Sequence, residues 1–171
     1  MIPETRAASV LLSTAVVLVV VAVRVGMAQA PANRACGLVT DAEIQSALGS
    51  KVTLQAGSLG DVQTCAGQSE SARVLVRFFR RTTDPSGNAE QAGIDAIRKM
   101  GAQVDVKASG GITCMTAVPP QNMVAMGFGT TCTVTGKAPM FAVIEVTAKT
   151  QKDMVPMEKL RPVAEKMASR F

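Results

Sequence analysis

The chain contains no histidine, no tyrosine and no tryptophan, and only five phenylalanines among its 171 residues. Without histidine it lacks the usual general base near neutral pH and a leading ligand for zinc and copper. A hydrolase built on a Ser–His or Cys–His pair is excluded, because the second member does not exist. Acid–base chemistry would fall to carboxylates and lysines, and no pair of acids stands out by spacing or setting. No catalytic residue is therefore assigned, no cofactor is expected, and the chain reads as a non-enzyme. The shortage of aromatics also sets nucleic-acid binding aside, since such surfaces combine basic groups with stacking rings. Cysteines are few as well: four, never in a Cys-x-x-Cys spacing, the nearest two being 18 apart. A thiol-exchange centre lacks its usual geometry here, and a four-cysteine zinc site lacks its close ligand pairs.

What is present begins with a leader, "MIPETRAASVLLSTAVVLVVVAVRVGMAQA", residues 1–30. A short start carrying Arg6 is followed by an uncharged Val, Leu and Ala run from Ala7 to Val23, then by small residues around Ala28 and Ala30. This is the layout of a secretory signal peptide. The apolar run falls just short of a transmembrane span of roughly 20 residues. Pro31 disfavours a cut directly after Ala30, so cleavage is expected after Ala28 or Ala32. A retained anchor flanked by Arg24 is the competing reading. A lipid anchor at Cys36 would need small apolar residues before it, which Asn33-Arg34-Ala35 does not supply. Residues 31–171 then form a single domain in the periplasm or outside the cell, with no transmembrane span in the mature chain. Losing Arg6, Arg24 and Glu4 lowers the formal charge from +5 to about +4, a mildly basic balance that permits attraction to an anionic envelope surface.

Several signals agree on a helix over 41–48. Thr40 caps it, Glu43 sits where it can reach back to the Thr40 amide, Val39 and Ile44 form a hydrophobic staple, and Gly49 suits the left-handed exit. "KVTLQ", 51–55, reads as a strand, followed by a loop through Gly57 and Gly60. "DVQTCAGQSESARVLVRFFRR" reads as a hairpin turning near Gln68–Ser71, with Val74, Val76 and Phe78 on one face and Leu75, Arg77 and Phe79 on the other. "DPSGN" breaks the chain. Asn88 then caps a second helix whose apolar side is Ala89, Gly93, Ile97 and Met100 with Ile94 beside them, and Gly101 closes it. "VDVKAS", "ITCMTAV", "NMVAMGF", "TTCTVT" and "PMFAVIEVTA" are strand candidates. Met157, Leu160, Val163, Ala164, Met167 and Phe171 mark a third helix, with Pro162 expected in its first turn or at a kink.

Four cysteines in an exported chain are most simply two disulfides, and sequence alone allows three pairings. Cys65 to Val74 and Cys132 to Phe141 are both nine residues, each with a turn midway, an apolar strand behind and another cysteine upstream, Cys36 and Cys114. This suggests two related halves and favours Cys36–Cys65 and Cys114–Cys132. A tight turn at Pro119–Asn122 would set Cys114 opposite Gly127, so the second pair needs a bulge or a longer loop.

Two features bear on function. "RVLVRFFRRTT" gathers Arg73, Arg77, Arg80 and Arg81 around two phenylalanines. Arg77, Arg80 and Arg81 are the candidate contacts for an anionic lipid, cell-wall polymer or acidic partner, against the plainer reading of a half-buried strand with a basic solvent side. Met123-x-x-Met126 and Met154-x-x-Met157 match thioether spacings that select soft Cu(I). In a strand, the first spacing would point its side chains to opposite faces, and the second runs into the apolar side of Leu160. Core filling by an adaptable hydrophobe is thus the first reading, and copper handling the alternative.

"CGLVTDAEIQSALG", Cys36 to Gly49, with Cys65 about thirty residues on, resembles the start of the mature domain in small exported bacterial envelope proteins and lipoproteins of unknown function. The resemblance covers residues 36 to about 80 and departs from that pattern in lacking a lipobox and in having Ala66 where an aromatic often follows. It implies a compact α/β sandwich akin to the PsbP fold and brings no catalytic residues. The expectation is one α+β domain: a curved antiparallel sheet with three helices packed on it, two related halves and two disulfides. Its expected function is a non-catalytic envelope binding module for an unknown protein, lipid or glycan. Besides copper handling, the other alternative is an exported enzyme inhibitor.

Overall fold

The computed structural model describes residues 33–80, 88–136 and 139–171. The leader with its cut site, Arg81, and the "DPSGN" break up to residue 87 lie outside the described residues, as do the side chains of Asn88 and Ala89.

Helix α2, Asp41–Leu48, forms for the reasons its sequence gives. Thr40 Oγ1 accepts from the Glu43 amide at 3.3 Å and Glu43 Oε2 accepts from the Thr40 amide at 3.0 Å, satisfying two first-turn donors reciprocally. Val39 and Ile44 are buried, and Gly49 ends the helix at φ 70°. One turn of helix not foreseen in the sequence, α1 at Arg34–Gly37, precedes it. Asn33 Oδ1 accepts from the Cys36 amide at 3.0 Å.

Seven strands make one wholly antiparallel sheet: β1 Gln55–Leu59, β2 Val62–Gln68, β3 Ala72–Arg80, β4 Gln103–Ser109, β5 Ile112–Val118, β6 Phe128–Thr135 and β7 Met140–Ala148. Their spatial order is β1-β2-β3-β7-β6-β5-β4, two meanders meeting where β3 pairs with β7 from Ala72↔Ala148 to Arg80↔Met140. Alternation assigns Val74, Val76 and Phe78 to the inner face as expected, together with Ala142, Ile144, Val146 and Ala148 of β7. Helix α4, Met157–Ser169, covers that face through Leu160, Val163, Ala164 and Met167, and α2 adds Ile44 and Ala47 to the same core. Burying a side chain of Leu160's size is worth about 1.5–3 kcal/mol.

Both expected disulfides are present, Cys36–Cys65 and Cys114–Cys132. One register row runs Cys65, Val76, Ile144, Cys132, Cys114 across five strands, and all five residues are wholly buried. The strand partners Val76 and Ile144 lie eleven and twelve residues after their cysteines. The equal nine-residue spacing to Val74 and Phe141 therefore does not mark equivalent positions, because the second hairpin carries one residue more.

The structure corrects several expectations. "KVTLQ" is not a strand until Gln55. Two backbone groups of 51–54 bond to α2 instead, the Leu54 amide donating to Asp41 Oδ1 and the Val52 carbonyl accepting from Gln45. This stretch crosses so close to β2 that a Cβ on Gly67 would lie 3.0 Å from the Thr53 carbonyl. The expected Gly57 loop is β1 itself, all five of its residues exposed. "NMVAMGF" is not a strand up to Gly127: Gln121–Met126 is a 3₁₀ helix started by Pro120 and ended by Gly127 at φ 84°. That longer connection brings Cys114 directly opposite Cys132. Because α4 begins at Met157, Pro162 lies in its second turn, where it leaves the Glu158 carbonyl without an i+4 amide. Phe171 falls beyond the helix and packs on Phe78, ring centroids 5.7 Å apart.

The helices do not all pack on one face. The second expected helix, α3 at Asn88–Lys99, touches β4 and overhangs the outer face; Ile94 is buried while Met100 is half exposed. At the far side of the core, Arg170 Nη1 and Nη2 donate to Glu43 at 2.7 and 2.6 Å, tying the end of α4 to the start of α2. The Arg170 hydrogen bonds, aided by those from Thr40 and opposed by desolvation, hold the Glu43 carboxyl down at about 2.

Candidate ligand cleft

The outer face of the sheet carries the site. Alternation sends Arg73, Leu75, Arg77 and Phe79 of β3 outward, with Glu145 and Thr147 of β7, Gly129 and Thr131 of β6, and Met115 and Ala117 of β5. Arg77 pairs with Val143, so Glu145 is its diagonal neighbour, and Arg77 Nη2 donates to Glu145 Oε2 at 3.0 Å. Both side chains are a little over one-third exposed. Arg77 Nε is buried and has no acceptor among the described residues.

Above this pair, Ile97 comes from the end of α3 and Met100 from the turn just past it, Pro119 and Pro120 from the chain leaving β5, and Met123 and Met126 from the 3₁₀ helix. Together with the sheet they enclose a cleft of about 330 Å³. Residues three apart eclipse one another in a 3₁₀ helix. Met123 and Met126 therefore share a side, which the strand reading had denied them. Gly127 sets the 3₁₀ helix down on β7: a Cβ there would lie 2.5 Å from Thr147 Cγ2 and 3.0 Å from the Ala148 carbonyl. Four methionines from three places in the chain, Met100, Met115, Met123 and Met126, thus line one cleft. Met126 is 65% exposed and Met100 50%, so the rim stays open to solvent.

The cleft runs into a wider depression of about 810 Å³ with which it shares Met126, Glu145 and Thr147. Lys51 and Arg73 line this second part, beside Gln55, Gln68 and Leu75.

The sequence-designated residues do not converge. Arg77 is in the cleft and held by Glu145. Arg80, three residues on, has the opposite strand parity and lines a separate depression with Arg34 and Asp61. Met157 is core, and half-buried Met154 sits beside it away from the cleft. In the sequence Met100 reads only as an apolar helix position, and Met115 and Glu145 were not singled out. Glu145 carried a signal, as the lone acid inside the apolar run "FAVIEV". Comparison with family models, with curated proteins and with solved structures finds no match. The ionisable groups lining the cleft are Arg77 and Glu145, and the rest of its described lining is apolar side chains, threonines and glycines. Such a lining suits holding an apolar group.

Proposed function

We propose that the protein is an exported, non-catalytic binding module of the cell envelope that holds an apolar ligand in the methionine-lined cleft. The carrying observation is the convergence of Met100, Met115, Met123 and Met126 with Pro119 and Pro120 over the Arg77–Glu145 pair. Methionine is flexible and polarisable, and surfaces rich in it adapt to varied apolar partners. A cleft of 330 Å³ is within the range of small-ligand sites, about 300–1,000 Å³. Export is supported by the two disulfides, which persist in oxidising compartments, and by the resemblance of Cys36–Gly49 to exported envelope proteins. Among the described residues no helix is long and apolar enough to cross a membrane. In this reading the sheet is curved and its two meanders are related halves, a view supported by Cys65 and Cys132 occupying one register row. The test is a methionine-methyl NMR titration of the oxidised protein with a lipid extract of its host envelope. Selective shifts of the four cleft methyls, with core Met157 and Met167 unmoved, are expected; unchanged cleft methyls would sink the proposal.

A second reading is soft-metal handling, favoured by the 3₁₀ helix that puts Met123 and Met126 on one side beside Met100 and Met115. It requires Cu(I) retention against a competing chelator, lost on changing Met123 and Met126 to Leu.

A further inference from the structure

We infer that the ligand is a single-chain amphiphile with an anionic head, its alkyl chain in the methionine cleft and its head where the cleft opens into the wider depression. This rests on the apolar-ligand reading above and adds the chemistry of the head group. The two connected spaces differ in character. The smaller is roofed by Met100, Met123, Pro119 and Pro120 and presents hydrocarbon and thioether surface. The larger carries Lys51 and Arg73, and Arg77 stands on the floor of the smaller one close by, two residues from Leu75 on the same strand face. Against these three cations the described linings set one acid, Glu145, which is common to both spaces.

The two linings together therefore carry a surplus of positive charge, with Lys51 and Arg73 on the side of the wider depression. That surplus complements a negative group at the end of a hydrocarbon chain. A carboxylate or a phosphate would both satisfy it, since arginine forks to either. Arg77 commits Nη2 to Glu145, and its side chain still keeps more than a third of its surface exposed. A guanidinium has five N–H donors, so one committed to Glu145 leaves its exposed ones to donate to a second anion without surrendering the first. The exposed rim of Met126 and Met100 gives a chain a way in from solvent. A cationic head would meet like charge at Lys51 and Arg73, and a neutral one would leave the surplus unanswered.

The test uses the full oxidised protein with methyl-labelled methionine, titrated below their micelle concentrations with dodecanoate, dodecyl phosphate, dodecanol and dodecyltrimethylammonium. Both anions are expected to shift the Met100, Met115, Met123 and Met126 methyls and to bind at least about tenfold tighter than dodecanol, with the gap narrowing as salt screens the head. The tighter of the two anions identifies the head. Shortening dodecanoate to decanoate and octanoate should weaken binding about threefold to fourfold for each methylene withdrawn from the cleft. The paired change Lys51→Gln with Arg73→Gln, at exposed positions outside the core, should remove the preference for anions and leave dodecanol binding as it was. Equal binding of dodecanol and dodecanoate would overturn the anionic head while leaving the apolar cleft standing. Absence of cleft-methyl shifts with all four probes would overturn the cleft reading itself.

Discussion

Arg77 and Glu145 join the two meanders of the sheet on its outer face: 68 residues apart in sequence, they meet at 3.0 Å across the β3·β7 seam. The pair sits on the floor of the cleft, yet each side chain keeps more than a third of its surface in water. Solvent screening at that exposure limits what the pair contributes. A double-mutant cycle with Arg77→Gln and Glu145→Gln should give a coupling of about 0.2–1 kcal/mol in urea unfolding. A coupling of several kcal/mol would show that the cleft floor is far drier than its exposure indicates.

Gly127 is the hinge between the 3₁₀ helix and β6. Gly127→Ala forces a Cβ into Thr147 and the Ala148 carbonyl at a φ of 84°, so it should destabilise the fold by roughly 1–3 kcal/mol and shift the Met126 methyl. Gly129→Ala, two residues on, places its new Cβ with no atom within 4 Å. It is the control and should change stability by less than about 0.5 kcal/mol. Equal effects from both would show that the close approach at Gly127 does not exist in solution.

The start of α2 makes the fold acid-sensitive in a defined window. Glu43 has a carboxyl pKa lowered from 4.5 to about 2, chiefly by its hydrogen bonds from Arg170. A carboxyl lowered on folding contributes stability that is fully present above its ordinary pKa and disappears as pH falls through the folded value. The wild type should therefore lose stability relative to Glu43→Gln as pH drops from about 4.5 to about 2. Urea midpoints of the two proteins across this range check it; a constant difference would mean that Glu43 is not the titrating group.

Thr40→Ala at the same helix start removes the acceptor for the Glu43 amide and should cost about 1 kcal/mol. Thr40→Ser should retain most of that contribution. A matched loss from both substitutions would point to the missing methyl and away from the cap.

What the sequence revealed was local. The capping box at Thr40 and Glu43 needs only four consecutive residues to declare itself, and the alternation Val74, Val76, Phe78 needs only one strand. The disulfide pairing was legible because each bridge joins cysteines that are consecutive in the chain. By contrast, β1 is exposed at every position and has Gly57 at its centre, so it shows no apolar alternation to detect. The single turn of α1 is too short to show a period, and its cap, Asn33, announces itself only once Cys36 is in place. "NMVAM" is short and apolar, which cannot distinguish a buried strand from one and a half turns of tight helix. The cleft was the least visible feature. It takes residues from β3, α3, β5, the 3₁₀ helix, β6 and β7, and only the strand order, with β7 inserted beside β3, brings them together.

The placement of the two bridges also bears on how the chain reaches this state. Cys36 meets Cys65 and Cys114 meets Cys132 at sequence separations of 29 and 18, whereas the β3·β7 seam joins residues 72–80 to 140–148. Consecutive pairing allows each bridge to close from its own stretch of chain, before the distant strands have found each other. The long-range seam carries the largest loop-closure entropy and forms slowly. Oxidation ahead of docking would shorten that search, and a chain delivered amino-terminus first meets Cys65 while Cys36 is still its sole possible mate.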